Sequence, residues 1–306
     1  MRIVSLLPAA TECCYALGVE PVGVSHECDF PPAAREQPSV VRSQVDPDAD
    51  SETIDAQVQT ALETHGSVYE LDREKLRELD PDYILTQGVC DVCAVDTELV
   101  ADTIRDLELD AELITTDVHS LADLYGDLQK VGDAIGKAQT AARVVADLKA
   151  RVSEVERRAS ECAETPSVAV LDWLSPVMVA GHWMPELIDL AGGTYPLAAP
   201  RDQSTPCEWQ EIRACDPDVL AAAPCGFGLA QAREDAQLLA EKPGWSDLTA
   251  VATNRAYAMD GHHLVNRPGP RLVDTLEHLA CVLHPKEFGE PDRAFVANLS
   301  HPTPTQ

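Results

Sequence analysis

Two cysteines separated by two residues, Cys90 and Cys93, are the clearest candidates in this sequence for metal or redox chemistry. A C-x-x-C turn can present two thiolates to one metal ion or close into a reversible disulfide. A structural tetrahedral site needs four ligands, and the chain has no second C-x-x-C. The remaining ligands would come from other predicted loops, at Cys28, Cys225, His26 and His182. The alternative is that both cysteines are small buried residues in a tight turn.

Aromatic, imidazole and guanidinium groups on predicted loops form a second set of candidates. Three rings could stack on a flat macrocycle or pack in the core: Trp173, Trp183 and Phe227. His182 and His262 could ligate cobalt or iron through imidazole, or could simply be solvated. Arg267 could pair with a carboxylate or phosphate of a ligand, or could cap the final helix.

Signatures of enzymes are scarce. The chain has no Gly-rich phosphate loop, no G-x-S-x-G elbow and no H-E-x-x-H motif. We therefore expect a binding protein rather than an enzyme. The alternative is a cytoplasmic metal-cofactor or redox enzyme that uses Cys90 and Cys93.

Charge and composition exclude several classes of partner. The chain has 306 residues, 45% of them hydrophobic, with 52 acidic against 23 basic side chains and a net charge of -29. Such a field repels nucleic acid and anionic membrane surfaces. Acidic residues are spread over the whole length, as on the surfaces of proteins from halophilic organisms. We expect an acidic, monomeric protein that does not bind nucleic acid.

The chain opens on a strand rather than on an export signal. Met1 and Arg2 lead straight into an apolar stretch too short for a signal sequence, and no apolar run approaches about 18 residues. The sequence as written therefore predicts a cytoplasmic protein without membrane insertion. A misassigned start codon would make it extracytoplasmic.

The candidate residues follow predicted strands in two similar halves. Strand and helix alternate from residue 1 to about 118, which predicts a parallel sheet whose ligand groups lie at the carboxyl ends of the strands. The run Lys75–Leu85 parallels Glu211–Ala221, each a helix, an Asp-Pro-Asp turn and a strand. We expect lobes at 1–118 and 166–288 and a polar tail at 289–306, with the last several residues disordered.

Between the lobes, a helical period of apolar residues runs from His119 to about Cys162 without a proline. It predicts one long helix within a bridging segment at 119–165. The alternative is a helical hairpin broken near Gly132 and Gly136, since each glycine weakens a helix by about 1 kcal/mol.

Several runs resemble the class III substrate-binding proteins of ABC importers, which carry cobalamin, haem or iron-siderophore complexes. Ile3–Glu12, followed by Leu17-Gly18 and Val22–Ser25, looks like the opening of cobalamin-binding members. Leu79–Leu85 and Arg267–Arg271 also match family patterns. The resemblance covers most of residues 1–285 and includes a cytoplasmic, cysteine-bearing branch similar to cobalamin-binding proteins.

This resemblance implies an α/β fold of two lobes with parallel sheets, bridged by one long helix. It also implies a corrinoid or related metal chelate in the interlobe cleft as ligand. Cys90 and Cys93, where a metal ion could bind, are a departure from ordinary cobalamin carriers. The expected contacts on the first lobe are Pro8, His26, Glu27, Cys28 and Gln87. On the second lobe they are Trp173, His182, Trp183, Cys225, Gly226, Phe227, Gly261, His262 and Arg267.

The resemblance further implies docking to an importer permease. Family members present one surface glutamate per lobe, near the start of the helix before the Pro-Asp turn. Glu74 fits the first position, whereas the second falls on Gln210, with Glu208 and Glu211 as neighbours.

Overall fold

The structure is a computed structural model that describes residues 1–88, 95 and 97–299. The chain forms two compact units. The first unit contains residues 1–46, 54–148 and 268–270, and the second contains 47–53, 149–267 and the chain from 271 onward.

A six-stranded sheet lies at the centre of the first unit, in the order β4-β3-β2-β1-β5-β6. Its strands are β1 (Ile3–Ser5), β2 (Gly23–Ser25), β3 (Ser39–Ser43), β4 (Tyr69–Leu71), β5 (Tyr83–Gln87) and β6 (Glu112–Thr116). All neighbours are parallel except the antiparallel pair β3–β4. The first helices are α1 (Pro8–Ala16), α2 (Ser51–His65), α3 (Arg73–Leu79), α4 (Thr97–Asp106) and α5 (Leu121–Ala134). Apolar side chains on both faces of the sheet are buried, which explains why β1 and β5 read as short apolar runs.

The second unit is built around another six-stranded sheet, in the order β12-β11-β10-β7-β8-β9. Its strands are β7 (Val168–Leu174), β8 (Val177–Val179), β9 (Thr205–Pro206), β10 (Val219–Ala222), β11 (Ala256–Met259) and β12 (Val296–Asn298). The centre, β7-β10-β11, is parallel, and β8, β9 and β12 add antiparallel edges. The later helices are α6 (Ala138–Ala159), α7 (Met184–Leu190), α8 (Trp209–Cys215), α9 (Leu229–Asp235), α10 (Gln237–Ala240), α11 (Thr249–Ala252), α12 (Leu272–Leu283) and α13 (Pro285–Phe288).

The predicted two-sheet α/β architecture is confirmed, but the prediction of one long helix from His119 to Cys162 is wrong. Two helices, α5 and α6, occupy this span, and the break lies near Gly132 and Gly136, as in the alternative. Gly136 has φ +68°, a conformation that favours glycine. A Cβ on Gly132 would lie 2.5 Å from that of Ala141, so the glycine permits α5 and α6 to approach closely.

The segment 289–306, predicted as a polar tail, contains the strand β12. Within it, β12 pairs antiparallel with β11, and Val296 is buried. The last residues, 300–306, for which we expected disorder, lie outside the described residues. Among the helices that the structure describes, none combines the length and apolar character needed to cross a membrane.

Candidate functional site

In the first unit, the predicted ligand residues gather at the carboxyl edge of the sheet. Pro8 begins α1 just after β1, His26 and Glu27 follow β2, and Gln87 ends β5. A narrow depression at this edge, with no space for a water-sized sphere, brings two of them together with residues that sequence reasoning missed. Its lining is Leu6, Pro8, Ser25, Glu27, Val41, Tyr69 and Val95. Ligand pockets usually measure about 300–1,000 Å³, so this depression is not by itself a ligand pocket.

His26 is the titratable group of interest at this edge. Its side chain is 27% exposed, and its ring lies 5.9 Å from that of Tyr69. Partial burial lowers the pKa of His26, and the Glu27 carboxylate, 3.9 Å away, opposes the shift. The imidazole is therefore neutral at neutral pH and keeps a lone pair that could bind a metal.

The structure describes only one of the three cysteines in the first unit that were predicted as ligands. Cys28 is 4% exposed, packs with Val24 and Ala34, and has its Sγ 3.0 Å from Thr11 Oγ1. This burial favours a packing role for Cys28. Cys90 and Cys93 lie outside the described residues, so their metal or redox role remains a prediction.

In the second unit, two aromatic rings meet at the ends of β7 and β10. Trp173 and Phe227 make an edge-to-face contact with centroids 5.5 Å apart. Phe227 is 2% exposed, which favours core packing over stacking on a ligand, whereas Trp173 and Cys225 are only partly buried. The Cys225 amide donates to Asp172 O at 3.0 Å and ties the two strand ends together.

His182 and Trp183 form the turn from β8 into α7. Their rings stack at 5.5 Å, and His182 has φ +53°. Trp183 is 6% exposed and donates its indole N–H to Val265 O at 3.0 Å. We infer that Trp183 supports the partly buried His182 ring from behind rather than facing a ligand itself.

The loop after β11 packs directly against the loop after β10. The amides of Gly261 and His262 both donate to Phe227 O, at 2.9 and 3.0 Å. A Cβ on Gly261 would overlap the Pro224 carbonyl, so only glycine fits. This contact fixes where His262 stands relative to Gly226, which is exposed with φ +82°.

Arg267 contacts His262 and is not a solvent-facing group. It is 3% exposed, and its Nη2 lies 3.1 Å from His262 Nε2. Because a guanidinium can only donate, Nε2 accepts, and a neutral His262 then carries its proton on Nδ1. A metal would have to displace Arg267 to reach that nitrogen.

Asp172 was missed by sequence reasoning. Its carboxyl group is buried on β7 and accepts a short hydrogen bond from the Ser204 hydroxyl, whose oxygen accepts from the Gly181 amide at 3.1 Å. Burial raises the pKa of Asp172 to about 6, and the bond from Ser204 partly offsets this. The chain of bonds orients the turn that carries His182. An acid inside the apolar run of β7 was the available signal.

The two predicted docking positions are both on the surface. Glu74 and Gln210 are exposed and lie in the first turns of α3 and α8. The neighbour Glu211 accepts the Glu208 amide at 2.9 Å. Glu211 is therefore engaged in capping the start of its own helix, which leaves Gln210 as the structural counterpart of Glu74.

Comparison with known proteins accounts for this architecture. Residues 3–262 match the family described as periplasmic binding protein. A Bacillus subtilis (strain 168) protein, named uncharacterized ABC transporter substrate-binding lipoprotein YvrC, is 25% identical over 299 residues, covering 94% of this chain and 82% of that protein.

Two solved structures share the fold. The apo form of the periplasmic heme-binding protein RhuT from Roseiflexus sp. RS-1 has a TM-score of 0.69 and 23% identity, over 92% of this chain and 97% of RhuT. The periplasmic vitamin B12 binding protein BtuF of Vibrio cholerae has a TM-score of 0.65 and 20% identity, over 92% and 96%. Since the family match spans most of its length, the chain belongs to the periplasmic binding protein family.

Proposed function

We propose that this chain is the solute-binding component of an ABC importer and that its ligand is a corrinoid. One observation carries the proposal: in each unit, an accessible imidazole on a loop that follows a strand stands beside an aromatic ring. His26 lies against Tyr69 in the first unit, and His182 against Trp183 in the second. A corrinoid offers a cobalt centre for an imidazole and a broad apolar ring for a partly buried aromatic side chain such as Tyr69. Trp183 would contribute by holding the His182 ring in place.

Charge favours a corrinoid over haem. Haem carries two anionic propionates, whereas the rim of a cobalamin is formed mainly by neutral amides. The chain has a net charge of -29, and Glu27 lies in the first-unit depression. Arg267, the residue we expected to receive a ligand anion, is buried against His262. Amides can instead be recognised by neutral donors and acceptors, such as the side chain of Gln87.

The names of similar proteins support the coarser part of this proposal. RhuT is named for heme and BtuF for vitamin B12, and YvrC is named as an ABC transporter lipoprotein. These names favour a metal-bearing macrocycle, a permease partner and a location outside the cytoplasm. They give no support to the cytoplasmic location expected from the sequence.

The test is a titration of aquocobalamin and, separately, haemin into the full chain in high-salt buffer, followed by calorimetry and visible spectra. Aquocobalamin has an axial water that imidazole can replace, so we expect heat together with a shift of the cobalamin bands. His26→Ala and His182→Ala should each weaken binding about tenfold or more, and at least one should abolish the spectral shift.

His65→Ala is a matched control, because His65 is an exposed histidine at the end of α2 that is not among the predicted ligand residues. Binding of haemin alone would overturn the corrinoid assignment and leave the solute-binding role intact. Absence of heat and spectral change with both ligands would overturn the assignment to metal-bearing macrocycles.

A further inference from the structure

We propose that Cys162, His284 and Glu287 form a binding site for a divalent transition metal such as Zn²⁺, separate from the ligand-binding loops. One Sγ, one imidazole nitrogen and one carboxylate oxygen from these residues all lie within 4.8 Å of one another. All three residues belong to the second unit. Cys162 follows α6, His284 joins α12 to α13, and Glu287 lies in α13.

The His284 ring is held by a neighbouring backbone carbonyl. It is 4% exposed, and its Nε2 lies 3.3 Å from Gly192 O. A carbonyl oxygen can only accept, so Nε2 carries the proton and a neutral ring keeps its lone pair on Nδ1. Metal-bound histidines usually donate their other ring N–H in this way, which fixes both tautomer and orientation.

The backbone around His284 is tightly fixed as well. Its amide donates to Ala280 O at 2.9 Å, and its carbonyl accepts from the amides of Glu287 and Phe288, at 3.1 and 2.9 Å. Gly192, with φ +82°, lies so close that a Cβ would be 2.9 Å from His284 Nε2. The imidazole is thus held in place while the other two ligands can adjust.

Only a modest movement would close the site. Tetrahedral zinc, with bonds of about 2.0–2.3 Å, places its ligand atoms roughly 3.5 Å apart. Glu287 is exposed and Cys162 partly so, and rotation of these side chains could supply the remaining shift of about 1 Å.

The donor set decides which metals fit. A thiolate, an imidazole and a carboxylate together favour Zn²⁺ or Co²⁺ over Mg²⁺ and Ca²⁺, which prefer oxygen ligands alone. Three protein ligands leave the fourth tetrahedral position for water. The net charge of -29 raises the local concentration of any divalent cation.

A metal here would fasten the end of α6 to the junction of α12 and α13. Arg158 already links the same elements, since its Nη2 donates to Glu287 O at 2.7 Å and its guanidinium lies 4.1 Å from the centre of the Phe288 ring. The metal would add a stronger connection at the same place and would stabilise the second unit whether or not a solute is bound.

The test uses the full chain with Cys90→Ser and Cys93→Ser, which removes the other candidate thiolate pair. Titration with Co²⁺ should produce a thiolate-to-cobalt charge-transfer band and the visible bands of tetrahedral cobalt, and Zn²⁺ should bleach both. Adding Cys162→Ser should abolish the charge-transfer band. Glu287→Gln should weaken Co²⁺ binding about tenfold.

Cys281→Ser is the matched control, because Cys281 is another partly buried thiol of the same unit, with its Sγ 3.8 Å from Phe288 O. It should leave the band unchanged. A second readout needs no variant at Cys162: Zn²⁺ should protect that thiol from alkylation, as located by mass spectrometry. Persistence of the band after Cys162→Ser, or lack of both band and protection, would overturn the proposal.

Discussion

Asp80 and Asp216 end equivalent helices in nearly identical left-handed conformations. Asp80, after α3, has φ 41° and ψ 63°, and Asp216, after α8, has φ 41° and ψ 64°. Each precedes a Pro-Asp pair and a parallel strand, β5 or β10. The internal repeat predicted from the sequence is therefore confirmed down to the backbone dihedral angles of its turn.

The same backbone should respond differently to glycine at these two positions. Asp80→Gly removes the backbone strain of a non-glycine residue in the left-handed region, so we expect a gain of about 0.5–1 kcal/mol in unfolding free energy. Asp216 also accepts bonds from the Thr249 amide and hydroxyl, at 2.8 and 2.9 Å. Asp216→Gly should therefore lower the melting temperature. Thermal unfolding of both variants checks this, and equal shifts would contradict it.

The equivalence of the two helices also bears on permease docking. Glu74 and Gln210 occupy the same exposed position relative to their helix starts. We expect Glu74→Lys to weaken association with the importer permease and Gln210→Glu to strengthen it. Association with the reconstituted permease measures this, and Gln210→Ala, which changes no charge, is the control. An unchanged affinity for Glu74→Lys would rule out docking at this position.

Much of the fold could be predicted from the sequence because the signals are local. The Asp-Pro-Asp turns can each be recognised within about ten residues, and so can the apolar runs of β1, β5, β7 and β10. The break between α5 and α6 was harder to assign, because apolar spacing continues through Ile135 and only the glycines mark the turn. Strand β3 was missed since its five residues follow a proline-containing loop and three of them are polar.

The site was less predictable than the fold, since sequence places a residue on a loop without saying which way it faces. Trp183 and Phe227 were expected beside a ligand, yet both are buried and hold neighbouring loops in position. Asp172 and Tyr69 were overlooked because their roles depend on contacts with Ser204 and His26 that are distant in the chain.

The buried Asp172 carboxyl should make stability depend on pH. Its folded pKa, about 6, lies above the ordinary value of 3.8, so the folded chain binds more protons between these values. Unfolding free energy should therefore fall as pH rises through this window. Asp172→Asn removes the titration and should be more stable near neutral pH by on the order of 2–3 kcal/mol. Urea unfolding from about pH 4 to pH 7 measures the difference, and parallel curves would refute the assignment.

The fit of Gly261 against Pro224 should be intolerant of a side chain. Gly261→Ala forces the backbones of two loops apart, and we expect a loss of about 3 kcal/mol together with weaker solute binding. Gly228→Ala is the control, because its Cβ would meet open space. That variant should lose less than about 1 kcal/mol. Chemical unfolding of both variants tests this, and similar losses would show that close packing is not the cause.

The lowered pKa of His26 predicts how solute binding varies with pH. Burial favours the neutral ring, so the lone pair persists below the ordinary pKa range of histidine. Corrinoid affinity should be flat near neutral pH and decline as acid protonates His26. His26→Gln should remove this decline. Calorimetric titration across the range provides the measurement, and affinity that increases toward acid would exclude a coordinating role.

The C-terminal segment matters more for the structure than its polar composition suggests, because it contains the strand β12. Asp260, which precedes Gly261, donates its amide to Phe295 O at 2.9 Å, and β12 covers the edge of β11. A nonsense mutation near codon 290 would uncover that edge, and an unpaired strand is a template for pairing between chains. We expect such a truncated product to be recovered as aggregate rather than as a slightly shortened binding protein.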